Sequence, residues 1–320
     1  MRSAFGSRAS RRIKLPISGC QSPGRSSPTI TGTETNPILT ETQPAKEFIM
    51  ENLDGRVAVI TGAASGIGLA MAHRFAAEGM KLVLSDVESD AMAAAVAGLP
   101  AGTEVVSMLC DVSKGEQVEA LRDFALDSFG TVHLVCNNAG VGGGGAMTEL
   151  NLTDWEWVIG VNLWGVINGV KVFLPLLTEQ GEGHIVNTAS VAGLFAAPFM
   201  GAYNVSKYGV VALSETLFNE LAMAHPGVHV SVLCPSWVKT NIANSARNHP
   251  DGPPEDAGAI AEVIETFISK GIDPADVADQ VAEAVKVNRF WIITHEDTPA
   301  AVTQRMRSIL DDGAPPMLMH

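Results

Sequence analysis

Aromatic residues make up only 6% of the 320-residue sequence, and charged residues only 18%. Bases are the scarcer charge: 21 Lys and Arg face 35 Asp and Glu, a formal net charge of -14. Seven of those bases and three of the acids lie in the first fifty residues, which leaves 14 against 32, a net -18, in the rest. So acidic a body repels nucleic acid and anionic membrane at long range, and neither is expected as a partner. An anionic ligand must then be held by local backbone donors. Cysteine is also sparse. Cys20, Cys110, Cys136 and Cys234 show no CxxC or Cys/His ligand spacing, and the last three sit in apolar, strand-like runs. Buried reduced thiols of a cytoplasmic protein fit this pattern better than a disulfide framework or a zinc site, and no metal site is expected. No apolar run reaches membrane-spanning length. The nearest, 158–177, is interrupted by Asn162, Asn168, Lys171 and Pro175.

Residues 1–49 are rich in Ser, Thr, Pro, Gly and Arg and have little apolar periodicity. Such a segment buries too little surface to offset its ordering entropy, so a disordered extension is expected. Six bases precede the first acid, Glu34, a composition also compatible with an organellar transit peptide. The apolar core of a secretory signal is absent. Met50 falls just before the folded pattern begins.

From Arg56 onward, short β-branched runs alternate with helical stretches. Strands are expected at Val57–Ile60, Lys81–Ser85, Val105–Cys110, Leu134–Asn137, His184–Thr188, Val228–Cys234 and Phe290–Ile293. Helices are expected from Gly68 to Glu78, as two stretches within 153–180, and from Tyr203 to Ala224. This rhythm predicts one α/β domain over 50–320: a doubly wound, Rossmann-type, seven-stranded parallel sheet with ligands at the carboxyl ends of its strands. Residues 241–272 break the rhythm with Pro and Gly and look like a substrate lid.

Chemistry concentrates at those carboxyl ends. The turn Thr61-Gly62-Ala63-Ala64-Ser65-Gly66-Ile67-Gly68 joins the first strand to the first helix. Glycines there let the backbone approach a pyrophosphate, and the helix N-terminus supplies N–H donors. Tyr203 and Lys207 stand at i and i+4, on one helix face. A phenol with a pKa near ~10 is a poor proton-transfer group at neutral pH, and a neighbouring ammonium is expected to lower that value. Ser190 follows the fifth strand, thirteen residues before Tyr203. A ligand-free glycine turn and a surface Tyr–Lys pair are the bland alternatives for each motif alone.

Together, the TGxxxGIG turn, Asn137-Asn138-Ala139-Gly140 and Tyr203-Asn204-Val205-Ser206-Lys207 resemble the short-chain dehydrogenase/reductase family from about Arg56 to Thr240, and more loosely to Thr294. The resemblance implies a homotetramer or homodimer that moves a hydride between a nicotinamide cofactor and a secondary alcohol or ketone. Tyr203 would be the general acid/base. Lys207 would tune it and hold the nicotinamide ribose, Ser190 would position the substrate oxygen, and Asn162 would anchor a water of a proton relay. Gly62, Ser65, Gly66, Ile67 and Gly68 would cradle the pyrophosphate. Asp111 and Val112 would contact the adenine, and Asn138, Ala139 and Gly140 would line the cleft. Pro235, Val238 and Thr240 would meet the carboxamide and phosphates. Ser236 stands where the family usually has Gly, which puts that turn in question.

Asp86 ends the second strand, where a carboxylate can accept the adenosine ribose hydroxyls and repel a 2′-phosphate. Neither the turn residues Ala63, Ala64 and Ser65 nor Val87 offers a base, so NAD is expected over NADP. Helix capping is the alternative role for Asp86, Asp111 and Thr240. Leu194, Phe195, Pro198, Phe199 and Trp237 suggest an apolar substrate pocket, though loop packing accounts for them as well. Trp155, Trp157 and Trp164 are expected in the core or a subunit contact, and Gly142–Gly145 in a flexible loop. Three other functions remain compatible with the sequence: a non-catalytic NAD-binding regulator, an epimerase, dehydratase or enoyl reductase on the same fold, and an adaptor acting through the basic tail.

Overall fold

A computed structural model describes residues 50–252 and 258–317. The expected extension, 1–49, lies outside them. Seven strands form the sheet: β1 Val57–Thr61, β2 Lys81–Asp86, β3 Val105–Leu109, β4 Leu134–Asn137, β5 Gly183–Thr188, β6 Val228–Cys234 and β7 Trp291–Ile293. Every pairing is parallel, and the spatial order is β3-β2-β1-β4-β5-β6-β7. The order reverses beside β1, so the crevice expected of a doubly wound sheet opens there.

The helices are α1 Gly66–Ala77, α2 Ser89–Gly98, α3 Gly115–Phe129, α4 Leu152–Ile159, α5 Gly165–Gln180, α6 Gly201–Ala224, α7 Gly258–Ser269, α8 Pro274–Lys286 and α9 Thr298–Leu310. Side chains alternate across the pleat, which is why each strand feeds two cores. Ala58, Ile60, Leu82 and Leu84 pack with Met71 and Phe75 of α1 and Val281 and Val285 of α8. Val57, Val59, Val83 and Val135 pack on the other face with Leu121 of α3, Phe173 of α5 and Val210 of α6. Phe75 and Phe173 are fully buried, and each contributes roughly 2 kcal/mol of apolar burial. A polar ladder runs through the second layer, with Asn137 Nδ2 donating to Asn187 Oδ1 at 2.9 Å and Asn187 Nδ2 to Ser214 Oγ at 3.0 Å.

Several local expectations change. Cys110 and Phe290 fall just outside their strands, and α1 and α6 begin two residues earlier than the apolar pattern suggests. The two helical stretches of 153–180 are joined by a π-helical segment, Gly160–Trp164, closed by Gly165 N–H to the Gly160 carbonyl. The resulting helical stretch, Leu152–Gln180, is long and apolar enough to cross a membrane by length and composition, contrary to the sequence reading. Here its apolar face, Val166, Val170, Phe173 and Leu177, packs against the sheet. Nor is the Gly142–Gly145 loop loose. Gly145 bridges Met200, and Gly142 N–H donates to Ser245 Oγ at 2.7 Å.

Candidate active site

Gly62 and Gly66 adopt positive φ, +65° and +54°, where a side chain would strain the turn. The turn is tight as well as left-handed. A Cβ on Gly62 would come within 2.7 Å of Ala139 Cα, and one on Gly68 would run into the Gly62 carbonyl. Ser65 caps α1 in an extended conformation without a side-chain bond, and the first helical bond joins Leu69 N–H to the Ser65 carbonyl. The amides of Gly66, Ile67 and Gly68 therefore precede the helical ladder and add to the positive end of the helix dipole. This cradle of donors and bare Cα atoms has the chemistry to hold a pyrophosphate.

Asp86 fixes the cradle from β2. Its Oδ2 accepts Ala64 N–H at 3.0 Å, and its Oδ1 accepts the amides of Val87 at 2.7 Å and Glu88 at 3.2 Å. It does not cap α2, whose cap is Glu88. Asp111 likewise does not cap α3. Its Oδ1 accepts Ser113 N–H at 3.0 Å in a local turn, and the α3 cap is Lys114. The Val112 carbonyl accepts Asn168 Nδ2 at 2.8 Å. Asn138 ties three strands at the cleft floor. Its Nδ2 donates to the Thr61 carbonyl, and its Oδ1 accepts from Thr188 Oγ1 at 3.3 Å. Ala139 N–H donates to Thr61 Oγ1, and a Cβ on Gly140 would stand 3.3 Å from Asn162 Oδ1 and 3.6 Å from Lys207 Nζ.

Tyr203 and Lys207 occupy the inner face of α6, and both are buried. Lys207 Nζ donates to the Thr188 carbonyl at 3.0 Å and lies 5.5 Å from the centre of the Tyr203 ring. The Ser190 side chain, at the end of β5, stands close enough to Tyr203 to favour its ionised form. Ser190 Oγ also accepts Ala192 N–H at 3.1 Å and donates to the Pro235 carbonyl at 3.3 Å. Ser190, Tyr203 and Lys207 thus converge. Burial pushes the Tyr203 phenol above its usual range, and the neighbouring Ser190 hydroxyl pulls the other way. The lowering expected from Lys207 is overturned, because its ammonium faces the ring and the Thr188 carbonyl while desolvation penalises the phenolate. Burial also brings Lys207 down to about 8, with the neighbouring Cys234 opposing. Asn162 sits in the π-helical segment. Its amide clasps the Val141 backbone, accepting Val141 N–H at 2.8 Å and donating to the Val141 carbonyl at 2.9 Å. The side chain is thereby committed to holding the loop after β4.

The sequence profile of the short chain dehydrogenases matches residues 56–251. The chain belongs to the short-chain dehydrogenase family. A short-chain dehydrogenase/reductase from Burkholderia phymatum, crystallised in complex with NAD, is 45% identical, spans 85% of this chain and all of its own, and superposes with a TM-score of 0.81. SadH of Mycobacterium tuberculosis, named as an oxidoreductase, is 42% identical over 217 residues, 68% of this chain and 78% of the relative. An alcohol dehydrogenase from Thermococcus sibiricus, complexed with 5-hydroxy-NADP, is 30% identical with a TM-score of 0.63, over 75% of this chain and 96% of its own.

In this short-chain dehydrogenase the turn after β6 needs no glycine. Among the described residues, positive φ outside glycine occurs at Phe199, Asn288 and Asp312, and Ser236 is not one of them. His295, which sequence reasoning missed, braces the turn instead. Its Nδ1 accepts Ser236 N–H at 3.4 Å, and its Nε2 donates to the Trp237 carbonyl at 3.2 Å. Its place just past the carboxyl end of β7 was the available signal. Val238 pairs with Ile272 through the Trp237 carbonyl and the Lys239 amide, so its own N–H faces the other side of the extended segment. Thr240 Oγ1 accepts Ile242 N–H at 3.4 Å, a capping-type contact at the start of the lid.

The described part of the lid is a 3-10 segment, Ile242–Asn248, followed by α7, and Trp237 stacks on Phe267 of α7 at 5.1 Å. Residues 253–257 of the expected lid lie outside the described residues. Of the apolar pocket candidates, Phe195 packs with Ala301 of α9, so loop packing accounts for it. Phe199 is half-exposed, and its carbonyl accepts Gly145 N–H at 2.8 Å. A bulky residue at φ +61° is a strained position of the kind kept near functional sites. Trp155 and Trp157 are partly buried beside Val158, and Trp164 is half-exposed.

Proposed function

We propose that this chain is an NAD-dependent oxidoreductase that transfers a hydride between nicotinamide and a secondary alcohol or ketone, with Tyr203 as general acid/base. The convergence of Ser190, Tyr203 and Lys207 at the carboxyl edge of the sheet, beside the glycine cradle, carries this proposal. When bound, the nicotinamide accepts or returns the hydride. The residues of the chain do the rest. Ser190 Oγ orients the substrate oxygen next to the phenol. Tyr203 then gives that oxygen a proton in reduction or takes one in oxidation. Lys207 holds the ribose hydroxyls, and its position over the Tyr203 ring keeps the phenol in place. Gly62, Ser65, Gly66, Ile67 and Gly68 hold the pyrophosphate, Asp111 and Val112 the adenine, and Pro235, Val238 and Thr240 the carboxamide and phosphates. Met147 and Trp155, packed against Gly201 at the start of α6, together with Phe199, favour an apolar substrate.

Asp86 supports NAD over NADP because its carboxylate stands at the end of β2 with both oxygens fixed by amides. Asp86→Ala should lower the ratio of kcat/KM for NAD to that for NADP by roughly tenfold or more, the scale of a charged hydrogen bond. Disturbance of the turn affects both cofactors and cancels in the ratio, so an unchanged ratio refutes the assignment. An alcohol and ketone panel followed by absorbance of reduced cofactor, with NAD and NADP in parallel, tests the whole function. Turnover of no member by a protein that binds NADH would favour a regulatory role. We also place the protein in the cytoplasm, as a homotetramer or homodimer. Exposed Trp164, Val205, Phe218 and Met223 on the α5 and α6 side support association, and a monomer in sedimentation velocity would refute it.

A further inference from the structure

The segment after β6 crosses the carboxyl edge of the sheet as a strap, fastened at several points. Its root, Thr240, lies against the start of α1, where a Cβ on Gly66 would stand 3.0 Å from Thr240 Cγ2. In its middle, Ser245 is buried and accepts Gly142 N–H from the loop after β4. Next along the strap, the Arg247 guanidinium and Asn248 Nδ2, the latter at 2.8 Å, both donate to Glu88 Oε1 at the start of α2. His249 then turns back to α4. Its Nε2 lies 3.3 Å from Asp154 Oδ1, and its ring meets Trp157 edge-on at 4.9 Å.

The fastening at Glu88 lies outside both apolar cores. It joins the cap of α2 to the 3-10 segment 159 residues later in the chain. Glu88 follows Asp86 by two residues, and Asp86 in turn holds Ala64 of the glycine cradle. The strap is thus fastened beside Asp86, at the carboxyl end of β2. Burial works against the Glu88 charge, but the Arg247 and Asn248 hydrogen bonds outweigh it and hold the carboxyl below its usual range. Both side chains of the ion pair keep about a third of their surface exposed, 32% and 29%. Such a pair is modest in strength, which suits a fastening that opens once per turnover better than a permanent staple.

We propose that Glu88 is a cofactor-retention residue: with Arg247 and Asn248 it latches the strap over the adenosine half of a bound dinucleotide, and opening of this latch sets the rate of cofactor exchange. The latch rests on the dinucleotide function proposed above and adds to it a residue pair that touches no reacting atom. Cofactor leaves only after the Glu88 contacts break and the strap lifts from α2. The Ser245 and His249 fastenings on the substrate side can remain closed meanwhile.

Stopped-flow displacement of NADH, followed by its fluorescence, tests the latch. Glu88→Ala and Arg247→Ala should each release NADH about fivefold faster than the unaltered chain, the upper range for an exposed pair. The swapped pair, Glu88→Arg with Arg247→Glu, should return the rate to within about twofold. Unchanged release in both single variants would overturn the latch, as would an acceleration that the swap leaves uncorrected. The unaltered chain separates the two ideas. If it binds neither NADH nor NADPH, the proposed function falls and the latch with it. If it binds NADH and the variants release it normally, the latch alone falls.

Discussion

Tyr203→Phe should lower kcat about 10³-fold while leaving NADH affinity within twofold. The substitution removes one oxygen from a buried ring and keeps the packing around it, so the loss isolates the proton transfer. Ser190 and Lys207 stay in place, since Ser190 also bonds to Pro235 and Ala192, and Lys207 to Thr188. The pH profile sharpens the test. Burial holds the Tyr203 phenol above its usual range, so at neutral pH it is protonated and ready to donate. Alcohol oxidation needs the phenolate and should rise with pH through the alkaline range, whereas ketone reduction should not. Steady-state rates in both directions check this, and the rise should vanish in the variant. Retained turnover in Tyr203→Phe would remove Tyr203 from the chemistry.

Gly68→Ala should cost roughly 2–3 kcal/mol of stability and abolish measurable NADH binding. The added Cβ would collide with the Gly62 carbonyl and with the Asn138 side chain, which is itself tied to β1. A backbone carbonyl in a turn pinned by Asp86 and Asn138 has little room to give, so the first turn of α1 must move off the strand. Thermal melting and NADH titration read the two losses. Gly98→Ala is the matching control. It ends α2, a Cβ there meets nothing within 4 Å, and it should be neutral or slightly stabilising. Normal NADH affinity in Gly68→Ala would show that the cradle tolerates a side chain and weaken its assignment to a pyrophosphate.

The sheet was legible because its inner strands β1, β2, β4, β5 and β6 are buried on both faces and read as compact apolar runs between turn residues. The glycine turn, Asp86 and the Ser190–Tyr203–Lys207 set were legible because residue type, spacing and chain order, taken together with the family resemblance, place them at one edge of the sheet. The direction of the Tyr203 shift was not, since it depends on how deeply α6 is buried and on where the Lys207 ammonium points. His295 and the Glu88–Arg247 contact were also hidden. Both join residues dozens to more than a hundred positions apart, and no local pattern marks such a pair. The π-helical segment escaped for a different reason. One extra residue in a helical turn leaves the apolar periodicity of α4 and α5 nearly intact.

The order of the strands has a consequence for fragments of this chain. The proposed site draws its groups from the ends of β1 through β6, and β1 at the centre pairs with β4, which begins about 75 residues later. Ser190 leans on Pro235 beyond β6, and the Pro235 turn leans on His295 beyond β7. A product truncated anywhere before His295 therefore lacks a brace on which the rest depends. The last strand supplies no group to the site, yet it leads into the residue that braces the turn on which Ser190 leans.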